Sequence, residues 1–94
     1  MRRGPRISGL SATLALLVGA CGAPIEPTPD CDAFVACTTA RDVQQGITTD
    51  MVRFQPGGAC WGNPEIAGLC DRGCRSGMAW LRDAFTDLPR ECAP

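Results

Sequence analysis

The chain has 94 residues, a net charge of −1, seven Cys and no His. This length leaves room for one small domain once any processed segment is removed. Its nine basic residues are outnumbered by ten acidic ones, and beyond the first six residues they form no basic cluster, so no nucleic-acid partner is expected.

The first 20 residues have the order of a secretion signal. A basic start from Met1 to Arg6 is followed by an apolar run from Ile7 to Val18 and then by small residues. A stable membrane span needs roughly 20 apolar residues, and this run is shorter. We therefore predict that residues 1–20 are removed as a signal peptide.

The end of this segment, Val18-Gly19-Ala20-Cys21, resembles the lipobox of bacterial lipoproteins. The resemblance implies that the Cys21 thiol receives a diacylglycerol and that acyl chains anchor the protein in a membrane. The alternative is an ordinary signal peptide with Cys21 in a disulfide. Cysteine parity argues against it, because the other six cysteines pair completely without Cys21. Gly22, directly after the lipid site, implies delivery to the outer membrane of the cell envelope.

Residues 21–30 are predicted to be the lipidated Cys and a tether. Three Pro among residues 22–30 favour an extended chain without a core of its own. The mature chain keeps six Arg against ten acidic residues, a net charge of −4. Attachment to the bilayer would therefore depend on the acyl chains rather than on surface charge.

Residues 31–94 are predicted to form one cysteine-rich helical domain. A chain this short gains little stability from its core alone, whereas each disulfide adds about 2 to 4 kcal/mol. An exported chain favours three disulfides among six cysteines, which are Cys31, Cys37, Cys60, Cys70, Cys74 and Cys92. Cys70 and Cys74, one helical turn apart, are interpreted as disulfide anchors and not as half of a metal site, so no metal or cofactor is expected.

The first predicted helix is capped by Asp30 and runs from Cys31 to Gln45, where Gly46 stops it. Its apolar side is assigned to Ala33, Ala36, Cys37, Ala40 and Val43, with Phe34 near its start. The following segment, residues 47–62, contains a turn at Pro56-Gly57-Gly58, and its remaining structure stays open.

The second predicted helix begins at Asn63-Pro64-Glu65 and ends near Pro89. Its apolar face recurs at three- and four-residue spacing: Ile66, Leu69, Cys70, Cys74, Gly77, Trp80, Leu81, Ala84, Phe85 and Leu88. Asp71 and Arg75 are spaced for an ion pair. Gly73 and Gly77 either let the first helix pack closely, which we favour, or are weak points in the helix.

Two helices joined by a loop are expected to form an antiparallel hairpin, and this sets the predicted disulfides. At 1.5 Å per residue, Cys37 lies about 12 Å before the loop and Cys74 about 15 Å after it, so they are nearly level. We predict the pairs Cys37–Cys74, Cys31–Cys92 and Cys60–Cys70. The predicted fold class is a small all-α, disulfide-rich hairpin stapled by these three bridges.

Few residues point to chemistry. Asp83 with Asp87, and Asp30 with Asp32, are interpreted as solvated acids rather than catalytic pairs, since no His accompanies them. Trp61 and Trp80 are the candidates for an interaction surface, because exposed Trp is enriched at interfaces. The alternative for each, which we favour, is a place in the core.

Several motifs together resemble small six-cysteine lipoproteins of myxobacteria and their relatives: Cys31-Asp32-Ala33-Phe34-Val35-Ala36-Cys37, Gly58-Ala59-Cys60-Trp61 and Cys70-x-x-x-Cys74. The resemblance covers most of residues 31–94 and implies a disulfide domain on the cell surface without an assigned activity. We expect a structural or protein-interaction module and not an enzyme, with an envelope protein as partner. The alternatives are a thiol–disulfide or hydrolytic enzyme, and a secreted inhibitor-like domain.

Overall fold

A computed structural model of the chain describes residues 25–94, so the predicted signal peptide and the lipidation site Cys21 lie outside the described residues. Two α-helices dominate, α1 from Pro29–Gln45 and α2 from Pro64–Ala84. Three short 3-10 helices occupy Val52–Phe54, Ala59–Trp61 and Arg90–Cys92, and residues 25–94 contain no strand. The predicted fold class, small, all-helical and held by three disulfides, is confirmed.

Helix α1 begins at Pro29, two residues earlier than predicted from a cap at Asp30. Thr28, not Asp30, is its N-terminal cap, and the Thr28 hydroxyl accepts a hydrogen bond from the backbone N–H of Cys31 at 3.3 Å. Pro29 follows as the first helical residue, where its missing N–H costs nothing. Gly46 ends the helix as predicted, with a positive φ of 68° that favours glycine.

Helix α2 begins as predicted and ends earlier. The Asn63 side chain accepts from the Ile66 N–H at 2.9 Å, and Pro64 opens the helix. The helix ends at Ala84 instead of near Pro89, because Phe85 takes an extended conformation. This exit turns the C-terminal segment back toward α1.

The relative direction of the two helices corrects the antiparallel expectation. Three pairs of neighbouring residues follow the contact from the start of α1 toward its end: Cys31 with Cys74, Phe34 with Gly77, and Arg41 with Phe85. Both members of these pairs advance together along the chain. The helices therefore pack side by side and run in the same direction over this contact.

The segment between the helices, residues 46–63, makes this arrangement feasible. It spans up to about 60 Å when extended at roughly 3.3 Å per residue, more than twice the length of α1. Instead of a plain loop it carries two 3-10 helices with buried Met51, Phe54, Cys60 and Trp61. These side chains pack around Cys31, so the segment returns to the beginning of α1 before α2 starts.

The disulfides follow from this direction: Cys31–Cys74, Cys37–Cys92 and Cys60–Cys70, with Cα–Cα distances of 5.0, 4.6 and 5.8 Å. The predicted Cys60–Cys70 bridge is confirmed. It joins the segment just before α2 to the beginning of α2, so it does not depend on the direction in which the two helices run. The predicted Cys37–Cys74 and Cys31–Cys92 pairs are wrong. They assumed that α2 runs back along α1, whereas its end lies beside the second half of α1.

Two groups of buried side chains form the core. One surrounds the Cys31–Cys74 bridge, and the other joins the Cys37–Cys92 bridge to Met78 and Leu81. Phe34 packs against both groups, so it connects them.

The face that α1 buries differs from the predicted one. The fully buried residues of the helix are Cys31, Cys37, Thr38 and Asp42, whereas Ala33, Ala36 and Val43 are exposed. The two disulfides fix the rotation of α1, and its polar side chains are buried beside them.

Gly77 lies where α2 crosses Phe34. A Cβ atom at Gly77 would lie 2.6 Å from the Phe34 ring, and one at Gly73 would meet nothing within 4 Å. The predicted close approach of α1 is therefore confirmed at Gly77 and wrong at Gly73.

Substitution of the two glycines is expected to have opposite effects. Gly77→Ala places a methyl group against the Phe34 ring, which packs against both core groups. This contact should lower the free energy of unfolding by about 1 to 2 kcal/mol, although Ala has a higher helix propensity than Gly. Gly73→Ala, the matched control, should raise it by up to about 1 kcal/mol. Chemical denaturation of both variants measures the difference. A stabilised Gly77→Ala would show that Phe34 moves aside freely.

Candidate binding site

An open pocket of about 160 Å³ lies where α1, α2 and the 46–63 segment meet. Its lining comes from all three elements: Phe34, Thr38 and Arg41 from α1, Gly77, Trp80 and Leu81 from α2, and Thr49 and Met51 from the segment between them. Most of this lining is apolar. The pocket therefore forms only after the two helices and their connection have packed together.

Helical spacing explains which side chains meet there. Residues 34, 38 and 41 recur at intervals of four and three, so they share one face of α1. Residues 77, 80 and 81 share a face of α2 by the same rule. Gly77 lacks a side chain, which leaves room for the Phe34 ring beside α2.

Asp42 fixes the position of the 46–63 segment, which contributes Thr49 and Met51 to the pocket lining. Its carboxylate accepts from the Thr49 N–H at 2.7 Å and from the Arg41 guanidinium at 3.4 Å. Burial raises the pKa of Asp42, but hydrogen bonds from the hydroxyl and amide of Thr49 and from Arg41 outweigh it, so the pKa lies below its usual 3.8. The carboxylate is therefore ionised at neutral pH, and its hydrogen bond with Thr49 connects the 46–63 segment to α1.

Two polar atoms of the pocket lining are buried without a hydrogen-bond partner among residues 25–94. They are the Thr38 hydroxyl oxygen and Nε of Arg41. Thr38 is only 4% exposed, so bulk water does not readily reach it. Buried polar groups are nearly always paired in folded proteins, and an unpaired one costs about 1 to 3 kcal/mol.

The rim of the pocket carries aromatic side chains. Trp80 is 59% exposed and meets the Phe85 ring edge-on, with centroids 5.6 Å apart. The Arg41 guanidinium lies 5.5 Å from the centre of the same ring, within the range of a cation–π contact. Trp80 thus reaches solvent beside the opening of the pocket.

The two candidate tryptophans have different environments. Trp61 is buried, and its indole N–H donates to the Phe54 carbonyl at 3.0 Å, so it is a core residue as we favoured. For Trp80 the favoured core placement is wrong, because the ring lies mostly outside. Trp80 therefore keeps its candidacy as an interaction residue.

Comparison of the chain with protein-family models, curated proteins and solved structures finds no match. The resemblance to six-cysteine lipoproteins therefore stays a prediction.

Other groups singled out in the sequence lie away from the pocket. Asp83, Asp87, Asp30 and Asp32 are exposed and do not line it. The six cysteines of residues 31–94 are all in disulfides, and residues 25–94 hold no group of three His, Cys, Asp or Glu side chains that is arranged to bind a metal ion. No helix within this described part of the chain is both long and apolar enough for a membrane span.

Sequence reasoning missed the α1 side of the pocket, namely Phe34, Thr38 and Arg41. Their spacing of four and three residues, which is typical of the buried face of a helix, could have identified them. The alanines on the neighbouring face were taken for the buried side instead. Thr49 and Met51 offered no signal, because the path of the 46–63 segment was undetermined.

Proposed function

We propose that this protein is a membrane-anchored envelope lipoprotein that presents a disulfide-stapled helical domain as a protein-interaction module. In this proposal Cys21 carries the lipid, the residues between Cys21 and α1 act as the tether, and the outer membrane is the site of attachment. The tether ends earlier than predicted, because Pro29 and Asp30 already belong to α1. An envelope protein is the partner, and the contact surface is the pocket with Trp80 at its rim.

The exposed Trp80 beside an open pocket supports the proposal most directly. Trp is enriched among the residues that contribute most of the binding energy of interfaces, and Trp80 is 59% exposed. Helix α2 contributes Leu81 to the core one residue later, so the exposure of Trp80 is not due to a locally loose helix.

The cysteines favour a scaffold over a thiol–disulfide enzyme. Such an enzyme attacks with an accessible thiolate. Here all six cysteines of residues 31–94 are paired, and five of them are buried, with Cys70 half-buried.

Site-specific photo-cross-linking on intact cells tests the interaction module. A benzophenone amino acid at position 80 of the full chain is expected to give one dominant cross-linked protein, because this position lies at the proposed contact. The matched control is position 75, which is also exposed on α2 and lies about 140° around the helix from Trp80. Equal cross-linking at both positions, or none at position 80, would contradict the proposal.

A further inference from the structure

The three disulfides of residues 31–94 differ in how far solvent reaches them. Two of them are buried at both ends, and their four cysteines are at most 2% exposed. In the third bridge, Cys60 is equally buried, whereas Cys70 is half-buried. The Cys60–Cys70 bridge is therefore the one among the three that a dissolved thiol can approach in the folded protein.

The exposed part of Cys70 belongs to its side chain. Cys70 lies inside α2, where neighbouring turns and side chains cover the backbone. Its carbonyl oxygen also contacts the Cys31 sulfur at 3.4 Å, so this side of the residue faces the core. Solvent thus reaches Cys70 at its Cβ and Sγ atoms.

This placement gives thiol attack a direction. A thiolate attacks one sulfur of a disulfide, the other sulfur departs as a thiolate, and access decides which bridge and which sulfur react. The Sγ atom of Cys70 is open to solvent, whereas Cys60 lies on the inner side of the bridge, in the core group around Cys31. Attack is therefore expected at Cys70, with Cys60 as the leaving group.

Opening of this bridge leaves the rest of the domain cross-linked. The other two disulfides still join α1 to α2 and to the C-terminal segment. The 46–63 segment loses its disulfide link to α2 but stays attached to α1 through the hydrogen bond from Thr49 to Asp42. Because Thr49 and Met51 of this segment line the pocket, the bridge affects how firmly that part of the lining is held.

We propose that the Cys60–Cys70 bridge is a redox-sensitive switch, which a dithiol reductant opens at Cys70 while the other two bridges stay closed. A thiolate of the reductant forms an S–S bond with Cys70 Sγ, the Cys60–Cys70 bond breaks, and Cys60 Sγ leaves as a thiolate that takes up a proton. The second thiol of the reductant then attacks its own sulfur in the mixed disulfide and releases Cys70 as a thiol. Two electrons pass to the bridge, and the reductant becomes a disulfide.

Stepwise reduction of the folded full chain with dithiothreitol tests the order of opening. Samples are quenched with acid, free thiols are alkylated in denaturant, and the modified peptides are identified by mass. We expect Cys60 and Cys70 to be alkylated first. The other bridges should be reduced at least about tenfold more slowly, because buried sulfurs react only after the structure opens. Reduction in denaturant is the control, and this order should be lost there.

Glutathione distinguishes the two sulfurs, because it has one thiol and stops at the mixed disulfide. We expect a glutathione adduct on Cys70 together with a free thiol at Cys60. An adduct on Cys60 would contradict the direction of attack. Reduction of all three bridges at the same rate in the folded chain would overturn the switch itself.

Limited digestion with trypsin measures the conformational effect. In Cys60→Ser with Cys70→Ser, cleavage after the exposed Arg53 of the 46–63 segment should be about a hundredfold faster than in the wild type, the factor expected for a closed loop of 10 residues. The matched control is Arg75, which is exposed on α2 and should respond less. Wild-type protein, reduced at this bridge and alkylated, gives the same comparison if the variant does not fold.

Equal acceleration at Arg53 and Arg75 would show general unfolding and would overturn the switch. The order of reduction does not depend on any partner, so the inference goes beyond the proposed function. Absence of a cross-linked protein at position 80 would reject the interaction module and leave the switch intact.

Discussion

Replacing Cys21 by Ser is expected to abolish metabolic labelling of the protein with a fatty-acid analogue and to release it from the membrane fraction. In the proposed function the Cys21 thiol is the acylated group, and Ser does not provide a thiol. Each buried methylene contributes about 0.8 kcal/mol, so the loss of two or more acyl chains removes the whole anchor. Labelling and fractionation of the same cells measure both effects.

The matched control for Cys21→Ser is the double variant Cys60→Ser with Cys70→Ser. It removes two thiols that form a local disulfide and should keep full labelling. Fatty-acid label retained by Cys21→Ser would refute the lipidation. Wild-type protein that fractionates with the inner membrane would refute the outer-membrane assignment and leave the lipidation intact.

Removal of the Cys37–Cys92 bridge is expected to cost about 4 kcal/mol of the free energy of unfolding. The two residues are 55 positions apart, so the bridge closes a long loop in the unfolded chain. The Cys60–Cys70 bridge spans only 10 positions and should cost about 2.7 kcal/mol when removed. Paired Cys→Ala variants, unfolded by denaturant under oxidising conditions, provide the comparison.

Disulfide mapping checks the pairing independently of stability. Cleavage before Asp separates Cys31 from Cys37 at Asp32, and it separates Cys74 from Cys92 at Asp83 and Asp87. Without reduction, the peptide that contains Cys31 should be linked to the one that contains Cys74.

The peptide with Cys37 should then be linked to the one with Cys92. Links from Cys31 to Cys92 and from Cys37 to Cys74 would instead indicate antiparallel helices. A larger loss of stability from the short bridge than from the long one would contradict the loop-closure argument.

Local features of the sequence determined the helices. Asn63 followed by Pro64 marks the start of α2, and Gly46 marks the end of α1, because capping depends on residues within one turn. The Cys60–Cys70 bridge was predictable for the same reason, since both residues lie near the start of α2.

The pocket could be predicted only in part. Trp80 was named as a candidate by its residue type, but a core position was favoured for it, and only the structure shows that it is exposed. Thr38 and Arg41 were missed because their burial depends on how α1 is rotated about its axis. The apolar residues of α1 form no clear stripe, so the sequence of the helix does not fix this rotation. Thr38 and Arg41 line the pocket together with Met51 and residues of α2, which are distant in the sequence.

The sequence by itself determined a small helical domain with three disulfides, and it predicted the lipid anchor at Cys21. Only the tertiary structure decided the direction of the helices, and with it the partners of Cys31 and Cys37. The physical reason lies in the 46–63 segment, which is long enough to join the helices in either direction. Burial of its Met51, Phe54 and Trp61 around Cys31 selects one of them, and such packing depends on residues far apart in the chain.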